Sequence, residues 1–173
     1  MLLREEHADV AFIAASIESL EAEQLGGDAA AAVLGVMAPA TWPPDYNDAN
    51  TRAWMRDMLR QHPGEPGYGS WYIIGGGRLA GIAGYKGPPN PDGEVEIGYS
   101  VIESERRKGY AKGAVTLLTT RAFRDRRVAA VIAETIPALA GSQAVLDRCG
   151  FKLASRTADA KLGEILRYRL ERP

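Results

Sequence analysis

The sequence has 173 residues, of which 46% are hydrophobic and 25% are charged, and 21 Lys and Arg nearly balance 22 Asp and Glu. This composition excludes a disordered or low-complexity protein, and the length predicts one domain over residues 1–173. The net charge of −1 argues against a general nucleic-acid binder.

One cysteine and two histidines exclude an intrachain disulfide and lead us to expect no metal site. No apolar run approaches the ~18 residues of a membrane span, and the first six residues turn acidic where a signal peptide would become apolar. We therefore expect a cytoplasmic protein without a membrane or nucleic-acid partner.

The first third of the chain predicts one short strand followed by three helices. An apolar segment at 10–15 forms the strand, and Ser16 caps a helix over 17–25. Two more helices fit 28–34 and 48–62, because Gly and Pro residues mark their ends.

The middle of the chain predicts strands. Residues 71–74 and 79–85 form a hairpin, and a Pro- and Gly-rich turn then leads into a strand over 95–102. Alternation in this strand places one set of residues on one face and a second set on the other: Val95, Ile97, Tyr99 and Val101 against Glu96, Gly98, Ser100 and Ile102.

The last third predicts alternating helices and strands. A helix over 109–123 follows the strong strand, a β-branched run at 128–135 forms the next strand, and a helix then extends to Gly150. Residues 151–156 and 165–170 form a closing antiparallel pair.

The segment 106–112, Arg-Arg-Lys-Gly-Tyr-Ala-Lys, lies between the strong strand and its helix. The first N–H groups of a helix have no internal partners and carry the positive end of the helix dipole, and Gly109 lets a ligand approach the main chain. Each cation here costs about 0.3 to 1 kcal/mol against the dipole, a cost that a bound polyphosphate would reverse. A solvated basic turn is the alternative for this pattern alone. The segment lacks the Ser or Thr of a Walker loop and the glycines of a dinucleotide fingerprint.

The neighbouring segments make the pattern more specific. R-x-x-G-x-A follows Glu-Ile-Gly-Tyr-Ser-Val at 96–101 and precedes Ala-Glu-Thr-Ile-Pro at 133–137 and the segment 142–151. In this order and spacing the sequence resembles the GNAT acyltransferase superfamily, and more closely its RimJ/RimL-like N-acetyltransferase branch, most clearly over residues 70–170.

The resemblance implies an α/β fold whose mixed, largely antiparallel sheet is flanked by helices and split between two central strands. It also implies acetyl-CoA as the donor, with its pyrophosphate on main-chain N–H groups of 107–112 and its pantetheine arm paired like an extra strand with the strong strand. The implied cofactor-binding residues are Tyr99, Ser100, Val101, Arg106, Arg107, Lys108, Gly109, Tyr110, Ala111 and Lys112.

Acetyl transfer by direct attack needs a group that takes a proton from the acceptor amine. The resemblance offers Glu134, which corresponds to the base of the branch that acetylates ribosomal-protein α-amines. It also offers Glu96, because histone-type members use a glutamate near this position on the earlier strand. We rank Glu134 first, and the alternative for either is an exposed glutamate on a strand face.

The leaving thiolate needs a proton or a hydrogen bond. Many relatives carry an Asn and a Tyr acid where this sequence has Leu139 and Leu146. Ser142 remains as a hydrogen-bond donor to the sulfur, as in the RimJ/RimL-like branch, although a Ser near a helix start more often caps the helix. Water is the other proton source.

Two further residue types are predicted to serve packing. Cys149 has no His or Asp partner nearby in sequence and is predicted to be a small core residue rather than a nucleophile. Anchoring the helical part to the sheet is the favoured role for Trp42, Trp54 and Trp71, and lining an acceptor pocket is the alternative.

The function predicted from these features is transfer of an acetyl group from acetyl-CoA to a primary amine by direct attack. A peptide or protein N-terminus is the favoured acceptor, a lysine side chain or small-molecule amine is the alternative, and the protein is expected to be a monomer or homodimer. A catalytically silent acyl-CoA-binding or regulatory module is the alternative, because Leu139 and Leu146 replace expected groups. A nucleic-acid-binding domain using 106–112 and 121–127 is the weakest hypothesis, because no aromatic platform accompanies these basic segments.

Overall fold

The structure is a computed structural model that describes residues 2–173. Within that range the chain forms eight strands and five α-helices, in the order β1 (Arg4–His7), β2 (Val10–Ala14), α1 (Ile17–Ala22), α2 (Gly27–Leu34), α3 (Ala49–Gln61), β3 (Ser70–Gly75), β4 (Arg78–Tyr85), β5 (Glu94–Val101), α4 (Tyr110–Arg124), β6 (Ala130–Thr135), α5 (Ala140–Arg148), β7 (Lys152–Asp159) and β8 (Gly163–Glu171). Short 3₁₀ turns lie at Glu23–Leu25, Pro66–Tyr68 and Glu103–Glu105.

All eight strands belong to one sheet with the order β1-β2-β3-β4-β5-β6-β8-β7. Every neighbouring pair is antiparallel except β5 and β6, which are parallel and connected through α4. The predicted mixed, largely antiparallel sheet flanked by helices is therefore confirmed.

The sheet opens between β5 and β6. Their paired residues extend only from Glu94 opposite Ala130 to Ile97 opposite Ala133, although β5 continues to Val101. β6 stays paired with β8 as far as Thr135, so it is β5 that loses its partner. Its last four residues therefore present an unpaired edge beside the end of β6.

Apolar side chains cover both faces of this sheet. One cluster joins β5 and β6 to α4, and its members include Val95, Ile97, Val115, Leu118 and Val131. The second joins β2, β3 and β4 to α1 and α2, and its members include Ile13, Leu20, Leu34, Tyr72 and Leu79. The alternation predicted for β5 is confirmed, because Val95, Ile97 and Val101 are buried and Gly98 is exposed.

The predicted starts of two helices are also confirmed. The Ser16 hydroxyl accepts a hydrogen bond from the Ser19 N–H at 3.1 Å, and the Ser19 hydroxyl accepts one from the Ser16 N–H at 2.9 Å, which makes a capping box. Asp48 caps α3 through Thr51 N at 2.8 Å. These backbone N–H bonds hold the pKa of Asp48 below its usual value.

Three strand predictions need correction. Sequence analysis missed β1, whose Arg-Glu-Glu-His segment lacks apolar alternation because it pairs only with β2 at the edge of the sheet. β5 ends at Val101, one residue earlier than predicted. Ile102 is therefore outside the strand, and it is buried with 2% exposure instead of lying on the face predicted to be opposite Val101. β7 begins one residue later and ends three residues later than predicted, and all eight of its residues are exposed, so apolar periodicity could not mark its end.

Candidate active site

The loop before α4 presents unpartnered backbone N–H groups. Arg107 and Gly109 have φ values of 62° and 83°, so two left-handed residues alternate with ordinary ones. The first hydrogen bond within α4 is from Gly113 N to Gly109 O at 2.9 Å, which leaves the N–H groups of 110–112 without helical partners. Such successive N–H groups form an anion-binding concavity. A Cβ built at Gly109 would meet nothing within 4 Å, so the approach to this concavity is open.

Two side chains of the predicted cofactor loop pair with other groups of the protein, although both remain about half exposed. The Arg106 guanidinium donates from Nε to Val101 O at 3.0 Å and from Nη2 to Asp45 Oδ2 at 2.7 Å. Lys108 pairs with Glu105 at 2.8 Å, an interaction that raises the pKa of the lysine. Arg107 and Lys112 are exposed beside the concavity. The concavity therefore depends on main chain, with these two cations at its rim.

A cavity of about 330 Å³ lies where the sheet opens. It brings together four predicted site residues, which are Tyr99, Ser100, Glu134 and Ser142. Helix α3 contributes Trp54 and Met55 to the wall, and the β7–β8 hairpin contributes Leu162 and Ile165. Glu96 and Val101 are not among its lining residues, although Lys86, which pairs with Glu96, is one of them.

Two of the three catalytic candidates, Glu134 and Ser142, lie on opposite faces of the sheet. Val131 and Ala133 of β6 pack in the cluster with α4, so alternation turns Glu134 to the other face. Ser142 lies in the first turn of α5, on the α4 side, and the Tyr99 side chain reaches it there. The cavity therefore extends through the opening, with a carboxylate on one side and hydroxyl groups on the other.

Both candidate bases have a cationic partner. Glu134 Oε1 accepts a hydrogen bond from Arg167 Nη1 at 3.1 Å, and Arg167 also binds Glu94 at 3.0 Å. The Glu134 side chain remains 31% exposed and lines the cavity. Glu96 pairs with Lys86 instead, and Glu96 does not line the cavity. The arrangement favours Glu134 as the carboxylate nearer an incoming amine.

Ser142 is not a helix cap. The N-cap of α5 is Leu139, which provides no side-chain cap, and the Ser142 N–H already donates to Leu139 O at 3.0 Å. The Ser142 hydroxyl lies 3.0 Å from Tyr99 Oη. Leu146, at the position of the tyrosine in many relatives, is completely buried in the core. Sequence analysis missed that Tyr99 places a phenol beside Ser142, although the alternation of β5 had assigned Tyr99 to this face.

The tryptophans divide between the two predicted roles. Trp71 is fully buried with the Arg121 guanidinium 5.1 Å from its ring, and Trp42 donates from Nε1 to Glu23 at 3.1 Å. Trp54 is 41% exposed and lines the cavity. Cys149 is half-buried against the core cluster, and burial raises the pKa of its thiol, which agrees with a packing role.

A buried carboxylate fixes the loop between α2 and α3. Glu23 is 3% exposed and accepts hydrogen bonds from Trp42 Nε1, from Asn47 Nδ2 at 2.5 Å and from Tyr72 Oη at 2.9 Å. The same loop carries Asp45, which pairs with Arg106 of the predicted cofactor loop. Sequence analysis missed this network because its partners are 19 to 61 residues apart.

Replacing Thr135 with Val should stabilise the protein. Thr135 is 6% exposed, and its hydroxyl has no hydrogen-bond partner among residues 2–173. An unsatisfied buried hydroxyl costs about 1–3 kcal/mol, and Val has nearly the same shape, so we expect a gain of about 1 kcal/mol in the free energy of unfolding. Urea unfolding followed by fluorescence measures this change.

Thr119→Val is the matched control for this prediction. Thr119 is equally buried, at 8% exposure, but its hydroxyl donates to Val115 O at 2.9 Å. We expect no gain from Thr119→Val because a hydrogen bond is lost. Destabilisation by both variants would mean that the Thr135 hydroxyl is satisfied in solution.

Between residues 2 and 173, no helix is long and apolar enough to span a bilayer. The same residues contain no group of three or more His, Cys, Asp or Glu side chains arranged to hold a metal ion.

An opened mixed sheet, an N–H concavity at the start of the crossover helix and a carboxylate beside the opening define an acyltransferase class of site. A family model described as the acetyltransferase (GNAT) domain matches residues 18–152. The chain therefore belongs to the GNAT acetyltransferase family, and the predicted class of enzyme, an acetyl-CoA-dependent acetyltransferase, is confirmed.

Among known proteins, the chain is similar to the uncharacterized N-acetyltransferase YjdG of Bacillus subtilis, with 31% identity over 131 residues, 74% of this chain and 77% of that protein. Its fold is similar to that of RimL, a ribosomal L7/L12 alpha-N-protein acetyltransferase, in complex with coenzyme A. That match has a TM-score of 0.73 and 18% identity and covers 99% of this chain and 98% of the other. A further match is the microcin C7 self-immunity acetyltransferase MccE in complex with acetyl-CoA and AMP. It has a TM-score of 0.70 and 16% identity and covers 95% and 93% of the two chains.

Proposed function

We propose that this acetyltransferase moves an acetyl group from acetyl-CoA to a primary amine, with a peptide or protein N-terminus favoured over a lysine side chain. The observation that carries the proposal is the cavity in the opened sheet, which has Glu134 on one side and Ser142 on the other. This arrangement suits direct attack, because the amine and the leaving sulfur need partners on opposite sides of the reacting carbonyl.

In the proposed reaction the amine nitrogen attacks the thioester carbon, a C–N bond forms, and the C–S bond breaks with its electron pair on sulfur. Glu134 takes the amine proton directly or through water, and Glu96 is the alternative base. Ser142 donates a hydrogen bond to the sulfur, and water supplies the proton that the sulfur finally carries.

We propose that the donor lies along the unpaired edge of β5 and over the loop before α4. The main chain of Tyr99, Ser100 and Val101 pairs with the pantetheine amides, and the N–H groups of 107–112 bind the pyrophosphate. Exposed Arg107 and Lys112 add positive charge there. Arg106 acts through its bonds to Val101 and Asp45, which hold the loop in place.

The preference for an α-amine rests on the free energy of deprotonation. At pH 7, freeing a lysine amine of pKa ~10.4 costs about 4.6 kcal/mol, whereas an α-amine of pKa ~7.8 costs about 1 kcal/mol. The smaller cost matters here because Leu146 replaces the tyrosine acid of many relatives. RimL, whose fold is similar, is named as an alpha-N-protein acetyltransferase, which supports the same class of acceptor.

We expect α-amine peptides to be turned over at pH 7 with a kcat/KM at least about tenfold above that of Nα-blocked lysine peptides. The free-amine populations differ by roughly 300-fold at this pH, and differences in binding offset only part of that factor. The measurement is release of CoA thiol over a panel of N-terminal peptides, lysine peptides, polyamines and aminoglycosides. Preference for a lysine or an aminoglycoside would contradict the acceptor class and leave acetyl transfer intact.

The second candidate function is a catalytically silent acyl-CoA-binding module. Its specific support is the pair Leu139 and Leu146, since Leu146 is completely buried and supplies no proton. Binding of acetyl-CoA by calorimetry without thiol release on any amine of the panel would favour this function.

A further inference from the structure

The Tyr99 hydroxyl has two acceptors but only one hydrogen to donate. It lies 3.0 Å from Ser142 Oγ and 3.2 Å from the Ser142 carbonyl oxygen. When Tyr99 donates to the carbonyl, the Ser142 hydroxyl can donate to Tyr99 in return. When Tyr99 donates to Ser142 Oγ, the Ser142 hydrogen is free for a third group. Rotation of the two hydroxyl groups about their C–O bonds interconverts the arrangements without moving a heavy atom.

The third group at this place is the sulfur of the donor, if the donor lies along β5 as proposed. Tyr99 and Ser142 both line the cavity at the opening of the sheet. An O–H group that accepts one hydrogen bond donates a stronger one, so Tyr99 makes Ser142 a better donor to a thiolate. Leu146 contributes no polar atom from the next turn of α5.

Acidity disfavours proton transfer from Tyr99. Burial raises the pKa of Tyr99 to about 12, whereas a thiol has a pKa of ~8.5. Passing a proton from the phenol to the thiolate is therefore disfavoured by roughly 3.5 pKa units, a factor of about 3,000. The phenol keeps its proton at neutral pH and acts only through hydrogen bonding.

We infer that Tyr99 is a positioning residue, whose hydroxyl turns the single Ser142 hydrogen toward the leaving sulfur of acetyl-CoA. As the C–S bond breaks, its electron pair goes to sulfur, Ser142 donates to the thiolate, and Tyr99 donates to Ser142. Both hydroxyl groups keep their protons, and the proton that sulfur finally carries comes from water. The inference rests on the proposed function for the position of the donor.

The test uses the product CoA, so it does not require the natural acceptor. The thiol of bound CoA is titrated by the ultraviolet absorbance of its thiolate, after subtraction of the protein alone, which removes the signals of Cys149 and the tyrosines. A hydrogen bond to the thiolate lowers the pKa of the bound thiol. We expect Ser142→Ala to raise this pKa by about one unit and Tyr99→Phe by about half a unit, which are tenfold and threefold changes.

A double variant and a conservative variant distinguish a positioning role of Tyr99 from a packing role. The double variant should match Ser142→Ala alone because Tyr99 acts through Ser142. Ser142→Thr keeps a hydroxyl and should retain the wild-type value. Tyr68→Phe is the control, since it removes a phenol that donates to Asp125 at 2.8 Å away from the cavity lining and should leave the thiol unchanged.

Four results decide the inference. An unchanged thiol pKa in Tyr99→Phe would overturn it, and so would additive effects in the double variant. Should Tyr99→Phe fail to fold by thermal melting, a Ser142→Ala value equal to wild type would overturn it on its own. Failure of wild-type protein to bind CoA would overturn the proposed function as well, so failure of the inference and failure of the proposed function can be told apart.

With an amine that is turned over, Tyr99→Phe should lower kcat about threefold and leave the KM for acetyl-CoA unchanged.

Discussion

Gly109→Glu should lower the affinity for acetyl-CoA at least about 100-fold. Gly109 immediately precedes the first turn of α4, and a Cβ at this position would meet no other atom within 4 Å. A carboxylate there would lie beside the position proposed for the pyrophosphate and repel it. Two unit charges 4 Å apart interact by about 4 kcal/mol at an effective dielectric constant of 20, more than enough for the expected loss. Isothermal titration calorimetry measures the change.

The matched control is Gly109→Gln, which differs from Gly109→Glu only in charge. Both variants strain the backbone equally, because the φ of 83° at residue 109 is unfavourable for any side chain. Thermal melting should therefore show equal stability losses, while Gly109→Gln retains most of the acetyl-CoA affinity. Equal affinity in wild type and Gly109→Glu would remove the pyrophosphate from this loop.

The parts of the fold with strong periodicity could be predicted from sequence. β5 alternates buried and open positions, α4 repeats apolar residues at helical spacing, and both are buried on one face. Their order, with the basic Gly-containing turn between them, also led to the loop proposed to bind the donor. These elements are predictable because each must bury one side against the same core.

The parts that depend on distant partners could not be predicted. β1 has no apolar pattern and is held by its pairing with β2, whose partner on the other side is β3. Asp45 and Arg106 are 61 residues apart, and Tyr99 and Ser142 are 43 residues apart. Side chains separated in this way are brought together by the packing of whole elements, which no local pattern records.

The two glutamates illustrate the same limit at the candidate site. Sequence placed both glutamates on strands near the proposed donor loop and ranked Glu134 first through the resemblance. The structure adds that Glu134 lines the cavity while Glu96 is paired with Lys86 outside the set of lining residues. The distinction depends on the opening of the sheet, because Glu96 lies in the paired part of β5 and Glu134 lies beyond the pairing.

Glu134→Gln should lower the rate of acetyl transfer about 100-fold at pH 7, and Glu96→Gln should lower it less than about tenfold. General-base catalysis contributes about 10² to 10⁴ in rate, and an amide cannot accept the amine proton. Arg167 keeps its bond to Glu94 in Glu134→Gln, so the fold should persist. The measurement is single-turnover acetyl transfer to an α-amine peptide, which separates the chemical step from product release.

The pH dependence distinguishes a lost base from a lost contact. Free α-amine of pKa ~7.8 rises about sevenfold between pH 7 and pH 9, and Glu134→Gln depends on this free amine because it cannot deprotonate the bound ammonium. The loss of acetyl-transfer rate in Glu134→Gln relative to wild type should therefore become smaller as the pH rises. Glu96→Gln should show a small deficit that stays constant over the same range. Equal, pH-independent losses in the two variants would mean that neither glutamate is the base and that water receives the amine proton.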